Sequence, residues 1–68
     1  MFTSKIRALM DKKKMTIRDI ASETGVSIGT IHRATQDSTI GSCQLNTLSK
    51  IGSALGVKTK KLYEEAGD

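Results

Sequence analysis

Residues 17–36 read IRDIASETGVSIGTIHRATQ, and this stretch decides how the chain folds. Ile20, Ala21, Gly25, Val26, Ile31 and Ala34 are spaced so that two short helices can cross closely. Ala21 is small where the helices touch, Gly25 supplies the left-handed backbone that ends the first of them, and Ile20, Val26 and Ile31 fill the angle between them. Thr16 opens the first helix: its hydroxyl accepts from first-turn amides, and Asp19 reaches back as the acidic member of a capping box. Ser27, two residues beyond Gly25, can cap the second. The predicted helices cover about 17–23 and 28–35. A tight glycine turn between two such helices reads as a helix-turn-helix unit. Spacing alone also admits two helices that merely pack.

The flanks extend the helical pattern. Phe2, Ile6, Leu9, Met10 and Lys13 share one helical face, with Thr3 or Ser4 available as a cap, which predicts a helix over about 3–13. Leu45, Leu48, Ile51, Ala54 and Leu55 repeat at helical spacing until Gly56, which predicts 45–55. Val57, Leu62, Tyr63 and Ala66 suggest a last short helix over 59–66. Between Gln36 and Cys43 no apolar period survives, and the segment reads as a surface loop. Gly67–Asp68 reads as a frayed end. The expected fold is all-α: five helices around one core, a single domain over 1–68.

Composition agrees. A chain of 68 residues buries only ~60% of its unfolded surface and supports one core. There is no proline, and Phe2 and Tyr63 are the only aromatics. The net charge is +4, and because Glu64, Glu65 and Asp68 lie at the end, residues 1–63 set eleven bases against four acids. A polyanion is the natural partner, although solvating charge would look the same. One cysteine, Cys43, and one histidine, His32, provide neither a disulfide nor a zinc ligand set. They also lack the third group that would orient a nucleophile, so the chain does not read as an enzyme. No apolar run approaches a membrane span and no signal-peptide core is present, so a cytoplasmic protein is expected. No cofactor or small-molecule site is legible.

The stretches MTIRDIASETGVSIGTI (15–31) and LNTLSKIGSALGV (45–57), the latter followed by Leu62-Tyr63, resemble the helix-turn-helix domain of phage lambda repressor, Cro and the Xre regulators. The resemblance covers Ile6 to Tyr63. It implies a five-helix domain that binds duplex DNA, usually as a dimer in transcription control. It also implies that Ile28, Gly29 and Arg33 face base edges, and that Ile17, Ser27 and Thr30 lie near phosphates.

Burial sorts the second helix of the unit without reference to any family. Ile31, Ala34 and Thr35 form one face, while Ile28, Gly29, His32, Arg33 and Gln36 form the other, free to meet a partner. Arg33 can make paired hydrogen bonds to guanine O6 and N7, worth ~1–3 kcal/mol of discrimination; a generic phosphate contact is its plainer role. Ile28 can pack on a thymine methyl or, more plainly, on Ile17. Gly29 is odd inside a helix, where it costs ~1 kcal/mol against alanine, and suits close approach to DNA. His32 reads as a hydrogen-bonding surface residue. Thr16, Ile17, Arg18, Ser27 and Thr30 are the expected phosphate contacts, helped by the positive end of the helix that begins at Ile17. Ser38, Thr39 and Ser42, with the amides around Cys43 and Gln44, are further candidates in the loop. The Lys12-Lys13-Lys14 run either closes its helix or attracts DNA at long range.

Several positions depart from the family pattern. Relatives often carry glutamine where Ile17 and Ile28 stand, so the operator should differ. A frequent arginine–glutamate pair is replaced here by Met10 and Thr35, both partners together, which leaves no orphaned buried charge. Lys14 stands where glycine often ends the first helix, so that turn must strain a non-glycine residue or close differently. Lys60 and Lys61 occupy the first turn of the last predicted helix, where cations are unfavourable.

The sequence therefore points to a regulator that binds double-stranded DNA, a repressor acting as a dimer on a two-fold operator, with Leu62 and Tyr63 as dimer contacts, one of them facing its own core. The competing reading is a protein-interaction module, antitoxin-like or an anti-repressor partner, that keeps the fold.

Overall fold

A computed structural model describes residues 1–65. In chain order it contains strand β1 (Phe2–Ser4), helices α1 (Ile6–Lys13), α2 (Ile17–Thr24), α3 (Ile28–Ala34), α4 (Asp37–Ile40) and α5 (Leu45–Leu55), a 3-10 turn (Thr59–Lys61) and strand β2 (Tyr63–Glu65). The core is aliphatic: Ile6, Ile20, Ile31, Ile40, Ile51, Leu55 and Leu62 are buried almost completely, with Leu9, Met15, Ile17 and Val26 packed around them. Among the described residues every buried side-chain nitrogen or oxygen has a hydrogen-bond partner.

The central unit forms as its local signals dictate. Thr16 Oγ1 accepts from the Asp19 N–H at 3.1 Å while the Thr16 N–H donates to Asp19 Oδ2 at 2.9 Å, a complete capping box. Gly25 takes φ 75° and donates its N–H to the Ala21 carbonyl at 2.9 Å. Ser27 Oγ then accepts from the Thr30 N–H at 3.2 Å and starts α3. The turn carries one lock that the sequence reading missed: Thr24 Oγ1 donates to the Ile20 carbonyl at 2.7 Å and accepts from the Val26 N–H at 3.1 Å.

Three expectations are corrected. The first helix begins at Ile6, because Phe2–Ser4 is a strand, and Lys5 rather than Thr3 or Ser4 stands at the N-cap without a side-chain bond. Residues 36–43 are not all loop: Asp37–Ile40 makes one helical turn that drives Ile40 into the core, 2% exposed. The predicted helix over 59–66 does not form in its described part. Lys60 and Lys61 oppose the positive end of a helix, so the chain makes a single 3-10 turn and continues as β2. β2 pairs antiparallel with β1, Ser4 opposite Tyr63 and Phe2 opposite Glu65. The Phe2 and Tyr63 rings meet edge to face at 5.8 Å, and the Lys5 N–H donates to the Leu62 carbonyl at 2.8 Å. Ala66 and the end expected to fray, Gly67–Asp68, lie outside the described residues. Among the described residues there are five α-helices, but the fifth is α5 rather than the expected helix after it, and α4 makes up the number.

Lys14 settles the turn after α1 by strain: its φ and ψ are 56° and 42°, the left-handed region. Met10 is buried and Thr35 nearly so, the Thr35 hydroxyl donating to the His32 carbonyl at 2.6 Å, so the site of the absent ion pair is closed locally.

Candidate nucleic-acid interface

α3 presents the face that the sequence assigned outward. Ile31 and Ala34 are fully buried, whereas Ile28, Gly29, His32 and Arg33 are exposed, Ile28 by 47%. About half of the Ile28 surface thus stays open to solvent beside Gly29.

Hydroxyl groups order the basic part of this face. Ser27 Oγ donates to Thr30 Oγ1 at 2.8 Å, and Arg33 Nη2 donates to the same oxygen at 3.3 Å. Thr30 thus accepts two bonds, keeps its own proton free for an external acceptor, and holds the guanidinium along the helix. Ser27 is committed to capping and to Thr30. On the neighbouring stripe His32 Nδ1 lies 3.5 Å from Gln36 Nε2.

The phosphate candidates separate by what the fold already asks of them. Thr16 and Arg18 are exposed at the start of α2, and the first-turn amides there have no carbonyl one turn back. The Ile17 side chain is half-buried against the core, leaving its amide as the group it can offer. Ser38 and Ser42 are exposed. Thr39 differs: its hydroxyl donates to the Arg33 carbonyl at 2.5 Å and closes the end of α3.

A polar cleft of about 290 Å³ joins α3 to the start of α5, lined by Thr30, Arg33, Ser42, Cys43, Gln44 and Thr47. Thr47 was missed by the sequence reading, and the spacing of Gln44 and Thr47, three apart at the head of a helix, was the available signal. Of the two dimer candidates, Leu62 is fully buried in its own core, and Tyr63 is half-buried at the rim of a second, apolar hollow. Among the described residues no group of three His, Cys, Asp or Glu side chains could hold a metal ion, and no helix is long and apolar enough to cross a membrane.

A solvent-facing helix with ordered donors, set by a glycine turn against a supporting helix, is the arrangement through which duplex DNA is read. The model of the Cro/C1-type helix-turn-helix DNA-binding domain matches residues 5–64. The chain belongs to this family. Within the Cro/C1-type framework α2, the Gly25 turn and α3 form the helix-turn-helix. The chain is also similar to the crystal structure of a protein from Bacteroides fragilis assigned as DNA-binding, with 28% identity, a TM-score of 0.75, and 94% of this chain and 100% of the other covered. No curated protein is significantly similar to it.

Proposed function

We propose that this Cro/C1-type domain is a sequence-specific transcription regulator that represses by occupying its operator in the cytosol, two copies to a two-fold site. The observation that carries this reading is the outward face of α3. Ile28 supplies an apolar contact for a thymine methyl, Arg33 a bidentate donor for guanine, and His32 a second polar group. Backbone contact falls to Thr16, Arg18, Thr30 and Ser42 and to the Ile17 amide, which flank that face. Occupation of a promoter is enough to block transcription and requires no further surface.

The dimer draws on a different feature. The apolar hollow is lined by Phe2, Ile40, Gly41, Cys43, Leu45 and Tyr63, with Leu45 68% exposed. Among the described residues no charged side chain lines it. In a chain of net charge +4 such a patch is where two like-charged copies can approach. It meets the polar cleft at Cys43, which lines both.

Selection from a pool of random duplexes, followed by footprinting on the enriched sequences, tests the proposal. Enrichment of a two-fold sequence with two protected half-sites is expected. Binding that stays equal on enriched and scrambled duplexes would refute it.

A further inference from the structure

Five glycines lie among the described residues, and four of them answer to the fold. Gly25 and Gly56 have φ of 75° and 74°, in the left-handed region. A Cβ on Gly41 would stand 2.9 Å from the Phe2 ring, and one on Gly52 would stand 2.9 Å from the Val57 carbonyl oxygen. Gly29 has no such reason. It lies within α3, exposed and with no positive φ, and nothing stands within 4 Å of the place its Cβ would take. Alanine there would strike no atom of the protein and would favour the helix. The fold gains nothing from the missing methyl group, so the requirement lies in what α3 meets.

The surroundings of Gly29 say what that is. Ile28, beside it, is a half-exposed aliphatic side chain, unsuited to a phosphate. Arg33, one turn on, is drawn to Thr30 by its bond, and no atom stands within 4 Å of the place a Cβ on Gly29 would take. The apolar group that projects from a base edge into the major groove is the 5-methyl of thymine. We infer that Gly29 is a specificity-determining position: its missing side chain admits a thymine methyl between Ile28 and Arg33, within about two base pairs of the guanine read by Arg33. This rests on the reading of α3 as the DNA-reading helix.

The test pairs a methyl added to the protein with a methyl removed from the DNA. Gly29→Ala is compared with the wild-type chain on a duplex selected by the wild type, and on duplexes in which each thymine in turn is replaced by deoxyuridine. The variant is expected to melt a few degrees higher, to bind the thymine duplex ~10-fold more weakly, and to recover to within about threefold of wild type on one particular deoxyuridine duplex. Equal binding of the thymine duplex by both proteins, a lower melting temperature, or the same loss on every deoxyuridine duplex would overturn the inference while leaving DNA recognition intact. Failure of the wild type to select any duplex would overturn the reading beneath it, and the inference with it.

Discussion

Ser4 Oγ donates to the carbonyl of Ala34 at 2.7 Å, so the N-terminal strand holds the last turn of α3. The Ser4 N–H binds Asp37 Oδ1 at 2.7 Å, which ties the same strand to α4. The angle of α3 is therefore set at both ends, by the Gly25 turn and by β1.

Ser4→Ala removes the first of these bonds, together with the long 3.4 Å bond that the hydroxyl accepts from the Ile6 N–H, and keeps the second. A part-buried carbonyl loses its partner, and the expected loss of stability is about 1–2 kcal/mol, read as a lowered midpoint in urea with an unchanged slope. An unchanged midpoint would show that the Ala34 carbonyl is served as well by water.

Lys14 holds a left-handed conformation that glycine adopts freely. Lys14→Gly relieves that strain and adds freedom to the unfolded chain, for a net gain of about 0.5–1 kcal/mol. Thermal melting of the two proteins in the same buffer checks the sign; a lower melting temperature in the variant would mean that the lysine side chain contributes more than its backbone strain removes.

Arg33 and Arg18 are expected to fail differently. Arg33→Ala should narrow the gap between operator and scrambled duplexes by about 1–3 kcal/mol, whereas Arg18→Ala should weaken both alike and lower the slope of log affinity against log salt by ~1. Competition titrations at several salt concentrations separate the two. Equal loss of the specificity ratio in both variants would mean that the faces are misassigned.

Leu45→Glu places a charge in the apolar hollow at a side chain that is 68% exposed and so leaves the core alone. The variant is expected to keep its helical circular dichroism and to sediment with one subunit per operator duplex where the wild type gives two. Two variant subunits per duplex would place the dimer contact elsewhere.

The parts of this fold that the sequence disclosed are those whose causes are neighbours in the chain. Thr16 and Asp19, Gly25 and Ser27 act within three residues of one another, and α2, its turn and α3 follow them closely. β1 and β2 were hidden because each is three residues long, too short for an alternating pattern, and each needs a partner from the other end of the chain. α4 was hidden because Ile40 is a single apolar residue in a polar stretch, and one residue has no period. The outward face of α3 was readable by the same logic as the core, since Ile31 and Ala34 fix which side is left over. The cleft with Gln44 and Thr47 was not, because the turn of α4 sets how close α5 comes to α3. Lys60 and Lys61 did carry a warning, as cations in a first turn, and that is where the predicted helix gives way.

The pairing of β1 with β2 bears on synthesis. A ribosome delivers Phe2 long before Glu65, its partner in register. The nascent polypeptide can close α2, its turn and α3 from local signals, but β1 has no strand to lie against until residues 63–65 have emerged, and closing so long a loop is opposed by entropy until then. Since Ser4 on β1 bonds the Ala34 carbonyl, the strand that supports the end of α3 is itself paired only once residues 63–65 are available to it.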